Sequence, residues 1–127
     1  MDITDFQPHE REVELFAPNG QRTGIWFHLR PPDAPEIKAV ERKLDDAVLR
    51  FRGRLPAAER KKFRENRLVA GVAGWHFDDG AMTVNGEEKP KFSEARLRKL
   101  LQIEWIAKFL DTEMGDENAF FEKLDNA

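Results

Sequence analysis

Polar and apolar residues mostly alternate from Glu12 to Phe16, and they alternate again from Thr23 to Arg30. Successive side chains of a strand point to opposite sides. Ile25, Phe27 and Leu29 therefore share one face, and Trp26, His28 and Arg30 the other. Between the two stretches, Pro18-Asn19-Gly20 is a turn signal, because proline presets φ and Asn-Gly accepts positive φ. The pattern predicts a β-hairpin over residues 12–30. Arg30-Pro31-Pro32 ends it, since proline donates no ladder hydrogen bond.

The period then changes to that of a helix. Ile37, Val40, Leu44, Val48 and Phe51 recur at helical spacing behind Asp33, a capping residue, and Pro35, which fits a first turn. This predicts a helix over about 34–52 that stops at Gly53. A second helix is expected over about 56–75. Its first half is basic, while Leu68-Val69-Ala70-Gly71-Val72-Ala73-Gly74-Trp75 is apolar on every side and must be buried. Gly71 and Gly74 each cost ~1 kcal/mol against alanine inside a helix, which implies close packing or a helix end. Asp78-Asp79-Gly80 and Asn85-Gly86 read as turns, and Lys89-Pro90 closes the loop. Ser93 can cap a third helix over about 93–112, where Leu97, Leu100, Leu101, Ile103, Trp105, Ile106, Phe109 and Leu110 form a wide apolar surface. Gly115 ends it, and a short fourth helix over about 116–125 carries Phe120, Phe121 and Leu124. Trp75 and Trp105 are expected to be mostly buried. The fold class predicted is mainly α (α+β): an N-terminal β-hairpin followed by about four helices in one domain, residues 1–127.

Composition narrows the chemistry. A chain of 127 residues fits one domain. With no cysteine, disulfides, zinc–thiolate sites and thiol catalysis are excluded. Ten Phe and three Trp argue for a packed core despite 35% charged residues. The acidic opening and the lack of an apolar run of ~20 residues lead us to expect neither a signal peptide nor a membrane span. Net charge is only −3, but it is unevenly spread. Arg50, Arg52, Arg54, Arg60, Lys61, Lys62, Arg64 and Arg67 crowd one stretch; Asp111, Glu113, Asp116, Glu117, Glu122 and Asp125 crowd the C-terminal one. Each run taken alone reads as a solvated face. Together they suggest a charged partner or head-to-tail self-association.

No catalytic, cofactor-binding or metal-binding set emerges. His9, His28 and His76 are widely spaced, with no pair at i, i+4. Asp78-Asp79-Gly80 is too dense for a calcium loop of alternating oxygen ligands. No serine sits in a Gly-x-Ser-x-Gly elbow, and Gly71-Val72-Ala73-Gly74 lacks the lysine of a phosphate loop. We therefore expect no enzyme. The basic run could contact phosphates, but the chain is acidic overall and shows no base-reading pattern, so a solubilising basic face is the favoured reading. What remains is aromatic surface. A two-stranded hairpin is marginal alone, and its edge beside Trp26 and His28 is suited to strand addition. The candidate partner-binding residues are accordingly Trp26, His28, Arg60, Lys61, Arg64, Phe120 and Phe121.

An ordered series of short motifs adds to this reading. Thr23-Gly24-Ile25 is followed by Arg30-Pro31-Pro32-Asp33-Ala34-Pro35-Glu36, then by the apolar run from Leu68 to Gly74-Trp75 and by Asp78-Asp79-Gly80. Phe92-Ser93-Glu94, Leu100-Leu101, Trp105-Ile106 and Asp116-Glu117-Asn118-Ala119-Phe120-Phe121 complete it. Over roughly residues 20–122 this series resembles the small tail assembly chaperones of long-tailed bacteriophages and prophages. The stretch Ala81 to Lys91 is longer than the family's usual passage from Asp-Gly to Pro-Phe-Ser. The resemblance implies a non-enzymatic protein of the host cytoplasm, absent from the mature virion. It would hold the tape measure protein soluble and help recruit tail tube subunits. A tail completion protein or other minor tail component is a second reading, and a basic-faced nucleic-acid-binding helical module a third.

Overall fold

The structure, a computed structural model, describes residues 2–121. It is mainly helical with one small antiparallel sheet. A short 3-10 turn, Ile3–Asp5, precedes β1 (Arg11–Phe16) and β2 (Arg22–Leu29). Then come α1 (Pro35–Arg50), α2 (Ala57–Gly71), β3 (Val72–Phe77), α3 (Glu94–Leu100), α4 (Glu104–Gly115) and a 3-10 turn, Glu117–Phe121. The hairpin forms where the alternation predicts it. Gly20 takes φ of +83° at its turn, and the Ala17 amide donates to the Gln21 carbonyl at 2.9 Å.

The largest departure from the sequence reading is β3. The helix expected over 56–75 ends at Gly71, and the chain turns directly into a strand that pairs with β2. β2 is thus the central strand in the order β1-β2-β3, and the edge expected beside Trp26 and His28 is already occupied. One feature hides the strand. A register shift between His28 and Leu29 makes room for Ala73 as an extra residue, so Val72 and Trp75 face inward three positions apart, as they would on a helix. Gly71 and Gly74 weaken the helical alternative. Gly71 does lie at a helix end and in close packing, since a Cβ there would overlap the Met114 side chain of α4.

The helix expected over 93–112 is broken after Leu100. On an uninterrupted helix Ile106 would lie about half a turn away from Leu97. The break at Leu101–Ile103 lets both sides face the same core. Ser93 caps α3 as expected, its hydroxyl accepting from the Arg96 amide at 3.1 Å. Asp33 does not cap α1: the cap position falls on Ala34, and the side chain makes no capping bond. Of the expected fourth helix, Glu117–Phe121 forms a 3-10 turn; residues 122–127, Leu124 among them, lie outside the described residues.

One face of the sheet carries the core. Val13, Leu15, Ile25, Phe27, Leu29 and Val72 pack against Leu68 of α2, Leu97 and Leu100 of α3, and Leu101, Ile106, Leu110 and Met114. Arg11 pins α4 to β1 through the Glu113 carbonyl (3.1 Å) and carboxylate (3.0 Å). α1 packs chiefly on α2. Among the described residues, no helix is long and apolar enough to cross a membrane.

Candidate functional site

The sheet presents two different surfaces. On the core side, between the sheet, α3–α4 and the loop 81–92, lies a half-open groove of 320 Å³. Ile25 and Trp75 form its floor, Met82, Val84 and Pro90 its loop wall, and Ile103 and Trp105 its outer lip. The loop is held in place by its own chemistry. Asn85 and Gly86 both adopt positive φ, 51° and 79°, and close a tight turn in which Val84 and Glu87 exchange backbone bonds of 3.0 and 2.9 Å. The Met82 amide donates to the Thr23 carbonyl (2.9 Å), and the Trp75 indole N–H donates to the Pro90 carbonyl (2.9 Å). Trp75 also meets Phe27, Phe77 and Phe92 edge to face. Glu87, Arg96 and Lys99 line the same groove with both signs of charge.

Trp75 and Trp105 are both expected to be mostly buried; Trp75 does pack against the core cluster, whereas Trp105 lies at the surface. Trp75 is half-buried because it walls the groove, and Trp105 is 37% exposed at its lip beside Ile103, which is 43% exposed. The α3–α4 break causes this. It turns Ile106 inward and leaves its neighbours Ile103 and Trp105 facing out.

The opposite face of the sheet is polar and aromatic. Glu12 pairs across from His28, and His28 from Gly74; in the next rung Glu14 opposes Trp26, and Trp26 opposes His76. The Trp26 and His76 rings are parallel within 4°, their centres 5.8 Å apart, and the indole N–H donates to Asp78 at 2.9 Å. His28 Nε2 lies 2.6 Å from His76 Nδ1 and 3.8 Å from Glu12 Oε1. At the hairpin end, Arg22 grips the buried Glu14 carboxylate with both Nε and Nη2. That grip, aided by the Gly24 amide and opposed by desolvation, holds the Glu14 carboxyl below the usual carboxylate range.

The residues expected to bind a partner are not gathered together. Trp26 and His28 sit side by side on the polar face, engaged with Asp78 and His76 rather than presented as an open anchor. Phe120 is 2% exposed and belongs to the core, with the Arg11 guanidinium 5.4 Å from its ring centre, so it is not a partner contact; Phe121 is half-buried. The basic run is partly neutralised within the molecule. Arg64 pairs with Glu104 (3.1 Å) and Asp111 (3.4 Å), and Arg67 with Asp111 (3.5 Å). Arg60 donates to the Leu55 carbonyl, and Lys61 is exposed. The charge asymmetry of the chain thus serves in part to dock α2 onto α4.

Sequence reasoning missed Ile103, Trp105 and Met82 as surface residues and His76 as a neighbour of His28. Met82 has a usable signal, since it and Val84 lead into the Asn85-Gly86 turn; Ile103 and Trp105 have none, because on one continuous helix over 93–112 they belong to its apolar surface. His76 had none, because the strand that carries it was read as a helix end. Comparison with protein-family models, with curated proteins and with solved structures returned no match.

Proposed function

We propose that this chain is a tail assembly chaperone of a long-tailed phage or prophage, which keeps the tape measure protein soluble by holding its apolar helical segments in the groove. The reading rests on the resemblance of the motif series, and the observation that carries it furthest is the groove itself. Its apolar walls, with exposed Ile103 and Trp105 at the lip and Glu87, Arg96 and Lys99 around it, suit an amphipathic helix laid apolar side down. The stretch Ala81 to Lys91, longer than the family's usual passage there, supplies one wall. The role is non-enzymatic. It is exercised in the host cytoplasm, before the virion is complete, and includes bringing tail tube subunits to the held partner.

Co-expression with the tape measure protein encoded nearby tests this. The partner should remain soluble and co-purify with the chain. Trp105→Ala should weaken the complex by ~1 kcal/mol or more, as loss of an aromatic contact at an interface does, while leaving the fold intact because the residue lies at the surface. A tape measure protein equally soluble with and without this chain would end the proposal.

A further inference from the structure

On the face of the sheet turned away from the groove, we propose that Glu12, His28 and His76 form a binding site for a divalent transition-metal ion of the Zn2+ class. Each of the three strands contributes one ligand. Glu12 comes from β1, His28 from β2 and His76 from β3, and their ligand atoms all lie within 4.8 Å of one another. Two imidazoles and a carboxylate, with a position left for water, are a ligand set that Zn2+ accepts in tetrahedral geometry.

The distances suit such an ion after small side-chain movements. Tetrahedral ligands about 2.0–2.1 Å from zinc stand about 3.3 Å apart. His28 Nε2 and His76 Nδ1, now 2.6 Å apart, must separate slightly; Glu12 Oε1, now 3.8 Å from His28 Nε2, must approach. Glu12 is exposed and free to swing, and Gly74 opposite His28 leaves room, since a Cβ at that position would meet nothing nearer than His28 Nδ1 at 3.9 Å. The backbone need not move, because cross-strand pairing already fixes the three Cα positions. Trp26, stacked flat on His76 and tethered by Asp78, orients one ligand ring in advance. The two imidazole nitrogens stand within hydrogen-bond distance of each other, and binding the ion through both requires each ring to leave that nitrogen free of its proton. The bound metal would clamp β1, β2 and β3 together, and so brace from behind the floor of the groove formed by Ile25 and Trp75.

Titration of the metal-stripped full chain with ZnCl2 by calorimetry should show one ion bound per chain. His28→Ala and His76→Phe, the latter keeping a ring against Trp26, should each weaken binding at least about tenfold, because even outer-shell changes at metal sites cost that much. His9→Ala should bind like the wild type. Histidine ring resonances of the unaltered chain read the same site without any variant: Zn2+ should shift those of His28 and His76 and spare those of His9. Absence of stoichiometric binding, unchanged affinity in both histidine variants, or a shift confined to His9 would each overturn the assignment. None of these readouts depends on the chaperone proposal.

Discussion

Two regions of this protein are built on different physics. In the sheet with α3 and α4, residues far apart in sequence close one core, and Phe27 on the central strand has no exposed surface at all. In the helical arm, α1 packs chiefly on the helix that follows it. Of its stripe only Ile37 is fully buried, with Ala47 beside it, and Leu49 is 77% exposed. Amphipathic patterning alone makes the arm, whereas the body needs strand pairing, a bulge and a helix break to agree. Local pattern is therefore a sound guide in the arm and a poor one at the joints of the body.

The largest expected effect is in the body. Phe27→Ala should destabilise the protein by ~3–5 kcal/mol, through lost burial and the cavity left behind; chemical denaturation checks it. Trp75→Ala should cost about 2–3 kcal/mol, less than a fully buried aromatic, because half-burial limits the cavity. It should also free the 81–92 loop, which loses the bond to the Pro90 carbonyl and the contact with Phe92. Faster amide exchange across residues 82–90 would show this.

A pH-dependent effect comes next. The Glu14 carboxyl, held low by Arg22, lies below its unfolded value of about 4.3. A depressed carboxylate contributes stability that is present above the unfolded value and is lost as pH falls through the folded one. Glu14→Gln should therefore flatten the acid limb of a plot of Tm against pH below about 5, with the variant and wild type converging as pH drops. An acid limb identical in both would show that Arg22 contributes nothing there. The smallest effect belongs to the arm: Leu49→Ser should change stability by no more than about 0.5 kcal/mol, since it removes no buried contact.

The hairpin, α1 and the start of α3 were legible because each has a single local signal: alternation around Pro18-Asn19-Gly20, a 3.6-residue stripe behind Pro35, and Ser93 before Glu94. β3 was not, because the extra residue Ala73 turns period two into a spacing a helix also allows. The split of α3 from α4 was hidden for a related reason: residues 97–110 are apolar enough on all sides to satisfy one helix, and only the position of the core decides against it. These two misreadings removed both candidate sites from view. Without β3, His76 has no reason to meet His28, and without the break, Trp105 has no reason to reach the surface.

The central claim is that the groove, and neither the arm nor the outer face of the sheet, holds an apolar partner helix. Amide hydrogen exchange of this chain with and without the tape measure protein proposed as its partner measures that directly. The account predicts protection over residues 82–90 and 100–106, with residues 37–63 unchanged. Protection confined to the arm, or to β1 and β3, would contradict it.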